Sequence, residues 1–126
     1  MVNLDLYTIP ASATILEAIE QIERNKSRCV FAVEEGRLAG VVSEGDVMRA
    51  LLSGTNVHSR LKPIMKPSFR YLLSRDMRQA HAMVRKHLFT LIPVVDEDFL
   101  LLDVITLPQV LEYVEGRRTD PGTPAP

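Results

Sequence analysis

Two stretches of this sequence repeat the same order of signals, and such a repeat restricts the chain to folds built from two similar units. Each stretch starts with apolar residues at the spacing of one helix face. These residues are Ile15, Ala18, Ile19 and Ile22 in the first stretch and Met77, Ala80 and Val84 in the second. A capping pair precedes each pattern, Thr14 with Glu17 and Asp76 with Gln79, which predicts where both helices begin.

The remaining signals of each stretch predict a strand, an acidic turn, a second strand and a short helix. The strands are predicted at 29–33, 38–42, 91–95 and 100–105, and the short helices at 46–52 and 108–114. Gly54 and Gly116 follow these helices, and glycine is common just after a helix end. We therefore expect an α+β fold.

The repeat also predicts how the chain is divided. The offset is 62 residues between Ala18 and Ala80 and 63 between Ser43 and Thr106, so the second turn between strands holds one extra residue. Each unit of about 45 residues would be marginal alone, so we expect the two to pack together through their strands. The predicted organisation is a unit at 8–54, a linker at 55–68, a unit at 69–116 and a disordered tail at 117–126.

Composition excludes several classes of protein. The 126 residues are 46% hydrophobic and carry a net charge of −1, which gives no general attraction to nucleic acid or to an anionic membrane. No secretory signal or membrane-spanning stretch is visible, so we expect a cytoplasmic protein whose single cysteine, Cys29, is a small buried hydrophobe. No metal-ligand spacing, catalytic triad or phosphate-loop motif occurs, so we expect no enzyme, no metal and no required cofactor.

A serine and an aspartate stand three residues apart at the predicted junction between a strand and a helix. The N–H groups of residues 44–47 would face a phosphate there, and Asp46 is placed to accept hydrogen bonds from two sugar hydroxyls. Ser43 can bridge to phosphate or sugar, and Gly40 admits close approach of another backbone or a ligand. Ser43 and Asp46 are equally suited to capping the helix, so their spacing alone leaves both roles open.

The segment Gly40-Val41-Val42-Ser43-Glu44-Gly45-Asp46, placed inside a tandem repeat, resembles the signature of the CBS domain, named for cystathionine β-synthase. The second unit contributes Ile92-Pro93-Val94-Val95-Asp96 to this resemblance. It implies two units in a pseudo-twofold arrangement with two clefts, and modules that pair into homodimers. The ligand it implies is AMP, ADP or ATP, and less often S-adenosylmethionine.

The resemblance also implies that each cleft is built crosswise from both units. The first cleft would then be formed by Gly40, Ser43, Asp46, Thr90, Leu91, Ile92 and Pro93. The second would be formed by Thr14, Ala18, Arg28, Cys29, Val30, Thr106 and Gln109. We expect this second cleft to be weaker, because Gln109 replaces the aspartate and Asp103 stands where the first unit has Gly40. The alternative is that Asp103 points away and pairs with an arginine.

Other features leave further readings open. Arg28 precedes the first strand and could reach a phosphate, whereas Arg70, Arg75, Arg78, Arg85 and Lys86 are expected to be mainly solvated surface. The short helices carry apolar residues for a dimer surface, namely Val47, Met48, Leu51, Leu52, Val110, Leu111, Tyr113 and Val114. The main hypothesis is a regulatory, energy-sensing module with an enzyme or transporter as its regulated partner. The alternative is a ligand-free dimerisation or interaction module, and nucleic-acid binding has little support.

Overall fold

The computed structural model describes residues 3–119 and contains four α-helices and five strands within that range. The helices are α1 (Ile15–Asn25), α2 (Glu44–Leu52), α3 (Met77–His87) and α4 (Leu107–Thr119). The strands are β1 (Thr8–Pro10), β2 (Cys29–Glu34), β3 (Arg37–Ser43), β4 (Leu91–Val95) and β5 (Leu101–Thr106). The predicted α+β architecture of two similar halves is confirmed.

Local sequence signals account for where the long helices begin. Thr14 and Glu17 form a reciprocal cap, in which each side chain accepts a hydrogen bond from the other residue's backbone N–H. Asp76 caps α3 by accepting from the backbone N–H groups of Arg78 and Gln79. The apolar face of α1 is buried as its spacing predicts, with Ile15 and Ala18 fully inaccessible to solvent.

Each half contains an antiparallel hairpin. β2 pairs with β3 so that Cys29 lies opposite Ser43, and β4 pairs with β5 so that Leu91 lies opposite Thr106. The second turn spans 96–100, whereas Glu35 and Gly36 alone form the first turn. β4 and β5 are each one residue shorter than β2 and β3, so the second hairpin is one residue longer as a whole. β1 adds a parallel strand beside β2; the sequence analysis missed it because three residues that include a proline show no strand pattern.

The two halves pack together through their strands, as the sequence predicts. Phe31 and Leu38 from the first hairpin form one apolar cluster with Leu91, Val95 and Val104 from the second. All five side chains are buried. Burying this surface offsets the small core that each half has on its own.

The last helix is longer than the sequence predicts. α4 continues through Gly116 to Thr119. The predicted helix end at 114 was therefore wrong, and so was the predicted tail for residues 117–119. A glycine stops a helix when its backbone turns left-handed, as Gly54 does with φ of 93°. Gly116 keeps a negative φ and remains inside the helix. The rest of the predicted tail, 120–126, lies outside the described residues.

Candidate functional site

A cavity of about 640 Å³ lies between the start of α2, the start of β4 and the linker that joins the two halves. Its lining includes Ser43 and Asp46 from the first half and 90–93 from the second. All the residues predicted for the first cleft therefore come together here except Gly40. Both hairpins present the start of their first strand to the same space, since Cys29 of β2 and Leu91 of β4 both line it.

Gly40 serves the linker and not the cavity. Val41 and Lys66 exchange two backbone hydrogen bonds of 2.9 Å, which hold the linker against β3. A Cβ atom at Gly40 would lie 3.0 Å from the carbonyl oxygen of Lys66 and 3.2 Å from the Met65 side chain. The absence of a side chain at position 40 thus admits another backbone, which is one of the two roles expected for this glycine.

The carboxylate of Asp46 has two separate sets of partners. Its Oδ2 accepts from the backbone N–H of Ser43 at 3.0 Å, while the Ser43 hydroxyl accepts from the N–H of Asp46 at 3.1 Å. Its Oδ1 faces two cations, Arg49 at 2.8 Å and Lys66 at 3.4 Å. One oxygen therefore caps the helix, and the other pairs with two cations.

Asp46 is ionised in the folded protein. Burial acts to raise the pKa of its carboxyl, but the hydrogen bonds from Ser43 and Arg49 and the charge of Lys66 together hold that pKa below its ordinary value. The ionised form stabilises the fold at pH values above the unfolded pKa, and that contribution is lost as the pH falls through the folded pKa. At neutral pH Asp46 is consequently a hydrogen-bond acceptor only.

Three cations line the cavity together with this single carboxylate. Arg28, Lys66 and Arg70 all line the cavity, and Arg28 is held with a left-handed backbone, φ 66°, of the kind that concentrates at functional sites. Two of the helix N–H groups expected to face a phosphate are already used, because Glu44 N–H donates to the Arg28 carbonyl and Asp46 N–H to the Ser43 hydroxyl. An anion in the cavity would therefore depend mainly on these three side chains.

Several lining residues escaped the sequence analysis. They are Phe31, Val41, Lys66, Ser68, Phe69, Leu88 and Phe89, and Arg70 also lines the cavity although it was expected to be solvated surface. Four of these, at 66 and 68–70, lie in or beside the linker, which has no periodic pattern to show which side faces inward. The only available signal was a mixture of basic and aromatic residues in a segment rich in proline.

Cys29 borders the same cavity and is half-buried. Burial raises the pKa of its thiol to about 11; a hydrogen bond with Thr90 lowers it slightly and the Glu44 charge raises it. The thiol therefore stays protonated and unreactive at neutral pH. This agrees with the expected role as a small hydrophobe, except that Cys29 is only partly covered.

The structure gives the residues predicted for the second cleft several different surroundings. Arg28 and Cys29 line the first cavity, because the register of β2 against β3 sets Cys29 beside Ser43. Ala18 and Val30 are buried in the core of the first half, and Thr14 caps α1. Thr106 and Gln109 repeat the cap of α2, with each side chain accepting from the backbone N–H of the other residue at 2.9 and 3.3 Å.

Asp103 pairs with an arginine, which is the alternative that the sequence left open. Arg75 donates to Asp103 at 2.8 Å and to the Val104 carbonyl at 3.3 Å, while the Val104 N–H donates to Asp103 at 2.8 Å. This ion pair holds the Asp103 carboxylate at β5, so Asp103 no longer supports the expectation of a weaker second cleft.

Residues 3–119 contain neither a clustered set of metal ligands nor a membrane-spanning helix. No group of three or more His, Cys, Asp or Glu side chains in that range is arranged to hold a metal ion. No helix within the same range is both long and apolar enough to cross a membrane.

Comparison with known proteins relates the first half of the chain to a defined family. The family model of the CBS domain matches residues 1–53. An uncharacterized protein of Helicobacter pylori is 32% identical over 111 residues, which cover 86% of this chain and 34% of that protein. The chain thus spans about a third of the length of this curated relative.

Two solved structures resemble the chain over both halves. A CBS domain pair/ACT domain protein from Thermotoga maritima has a TM-score of 0.74 at 22% identity, covering 91% of this chain and 93% of that one. A CBS domain protein from Pyrobaculum aerophilum, complexed with AMP, has a TM-score of 0.67 at 21% identity, covering 91% and 99%. At these identities the similarity establishes a shared fold.

Proposed function

The chain carries a CBS domain in its first half and folds as a CBS domain pair, and from this premise we propose that it is a non-catalytic regulatory module that binds an adenine nucleotide. The binding site is the cavity between Asp46 and β4. The observation that carries the proposal is the combination of one ionised carboxylate, three cations and an apolar slot in a space of about 640 Å³. This volume lies within the range of small-molecule pockets.

Each part of an adenine nucleotide has a chemical counterpart in the cavity. Asp46 accepts hydrogen bonds from the ribose hydroxyls, which is the role that charge-assisted hydrogen bonding favours. The cations Arg28, Lys66 and Arg70 balance the phosphates. Phe69, Phe89 and the 91–93 segment of β4 provide apolar contact area for the purine. The AMP complex of the Pyrobaculum aerophilum protein supports the same class of ligand.

Regulation follows from the position of the site. The cavity is lined by residues of both halves, so a bound nucleotide contacts both and favours the arrangement to which it binds more tightly. A change in nucleotide level is then converted into a change in the relative position of the halves, which a regulated enzyme or transporter can sense. We place this module in the cytoplasm, where adenine nucleotides are abundant.

Titration calorimetry with AMP, ADP and ATP, with S-adenosylmethionine for comparison, tests the proposal. We expect one nucleotide per chain, because the second unit has the neutral Gln109 in place of Asp46 and its amide oxygen already accepts from Thr106. Asp46→Ala should weaken binding by about 1.5–3 kcal/mol, the scale of a hydrogen bond to a charged group. Two equivalent sites per chain would contradict the assignment to Asp46.

Asp76→Ala is the matched control, because Asp76 also caps a helix but is not part of the cavity lining. Both substitutions should lower the free energy of unfolding by about 1 kcal/mol through the lost cap. Only Asp46→Ala should weaken nucleotide binding. Equal affinity in the two variants would reduce Asp46 to a helix cap.

A homodimer is a second proposal, and exposed apolar residues on α2 and α4 favour it. Met48, Leu52 and Leu111 are 60%, 82% and 53% exposed. Val47 and Val110, which the sequence had assigned to the same surface, are buried in the cores of the two halves. The remaining patch still suits association with a second copy, with or without nucleotide.

A further inference from the structure

A cation from the linker neutralises the carboxylate that faces the cavity. Lys66 Nζ lies 3.4 Å from Asp46 Oδ1, and of the two cations on that oxygen Lys66 is the one that lines the cavity. Its backbone is fixed to Val41 by two hydrogen bonds, while its side chain is 64% exposed. The ammonium group can therefore move between positions in the cavity while the linker stays in place.

We propose that Lys66 is a specificity-determining residue, an inference that rests on the proposed nucleotide site. Lys66 competes with the sugar for Asp46, and it leaves Asp46 when the ligand brings a phosphate. Asp46 Oδ2 already accepts from the Ser43 N–H. A sugar hydroxyl must therefore donate to Oδ1, where it either displaces a cation or shares the oxygen with Arg49 and Lys66. A neutral nucleoside breaks the Lys66 contact without offering the ammonium another anion. A phosphorylated nucleoside supplies that anion, so the cavity favours phosphorylated adenosine over adenosine.

The competition predicts effects of opposite sign for two ligands. In Lys66→Gln, affinity for adenosine should rise by about 2- to 5-fold, because the ligand no longer has to break an exposed ion pair of that strength. Affinity for AMP should fall by about 5-fold or more, because a charge-assisted contact to the phosphate is lost. Titration calorimetry at low salt measures both.

Lys62→Gln is the matched control. Lys62 lies in the same linker, is also exposed and pairs with Glu34 at 2.8 Å, but it is not part of the cavity lining. It should leave both affinities unchanged. Equal changes for adenosine and AMP in Lys66→Gln, or no change in either, would overturn the proposal while leaving the nucleotide site intact. If the wild-type chain binds neither ligand, the proposed function fails and this inference fails with it.

A measurement without ligand tests the ion pair itself. The pKa of the Asp46 carboxyl, followed by carbon-detected NMR, should rise in Lys66→Gln because a neighbouring positive charge is removed. In Lys62→Gln it should stay at the wild-type value. An Asp46 pKa that is the same in all three proteins would show that Lys66 does not hold Asp46 in solution, and would overturn the inference whatever the nucleotides do.

Discussion

At the scale of single residues, the two carboxylate oxygens of Asp46 have different surroundings. Its Oδ2 caps α2 and its Oδ1 faces cations and the cavity. Gln109 shows that the cap alone does not need a charge, because its amide oxygen accepts from Thr106 in the same way. The charge at position 46 is therefore additional to the structural requirement, and the proposed nucleotide site gives that charge a role.

Cys29 gives a pH-dependent prediction at the same scale. Because burial raises the pKa of its thiol from 9.0 to about 11, the folded state holds its proton more tightly than the unfolded state. This contribution to stability is present at pH values below 9 and is lost as the pH rises toward 11. Thiolate absorbance near 240 nm, corrected with Cys29→Ala, should stay low up to about pH 10, one unit below that folded pKa.

The single cysteine makes this signal easy to assign. Alkylation by iodoacetamide should follow the same pH profile, since the thiolate is the reactive species. A midpoint near 9 in either measurement would show that Cys29 is more exposed than its position beside Thr90 and Glu44 implies.

The residues that could be predicted belong to a helix cap, a strand pattern or the internal repeat. Asp46 follows the end of one strand and the 90–93 segment contains the start of another, at positions that the repeat locates. Thr14 and Glu17 together predict where α1 begins. Lys66, Phe69 and Arg70 lie in or beside a linker whose direction is set by backbone hydrogen bonds to Val41. No periodicity in the sequence encodes such a long-range backbone contact, so the linker side of the cavity could not be predicted from the sequence.

At the scale of elements, the backbone groups on the edges of β3 and β5 have different hydrogen-bond partners. In the first half, the N–H and carbonyl of Val41 bond to the Lys66 backbone. In the second half, the equivalent groups of Val104 bond to the Asp103 and Arg75 side chains. Unpaired strand edges favour aggregation. The two kinds of partner explain why Gly40 corresponds to Asp103: glycine stands where the linker packs on the strand, and the Asp103–Arg75 pair stands at the strand that the linker does not cover.

Gly40→Ala tests this reading of the first edge. The added Cβ would meet the Lys66 carbonyl at 3.0 Å, and that carbonyl is held in place by its hydrogen bond to Val41. We expect the free energy of unfolding, measured by urea denaturation, to fall by about 1–3 kcal/mol, the usual cost of overpacking.

Gly116→Ala is the comparison for the same chemical change. Gly116 lies in α4, and an added Cβ there meets no atom within 4 Å. Alanine should leave stability unchanged or raise it by up to about 1 kcal/mol, because alanine favours the helix. If Gly40→Ala behaved like Gly116→Ala, the linker would not be packed on β3 as described.

At the scale of the whole molecule, the two halves share a strand-to-strand core and leave α2 and α4 outside it. Phe31 and Leu91 meet at that core, so the halves cannot separate without exposing it. Val47 and Val110 turn inward to their own halves. The sequence showed that these helices are apolar on more than one side, but which side each half covers depends on packing that only the structure reveals.

The uncovered side of α2 leads to a prediction about assembly. Leu52 is 82% exposed and Met48 is 60% exposed on the same short helix, and such surface is costly to leave in water. We expect light scattering to give a dimer mass at tens of micromolar protein, and Leu52→Glu to shift it to the monomer by placing a charge in the interface.

Leu73→Glu is the control, since Leu73 is 62% exposed but lies in neither α2 nor α4. This variant should remain dimeric. A monomer mass for the wild-type chain, or equal dissociation by both substitutions, would remove α2 from the interface and leave nucleotide binding as the function of a single chain.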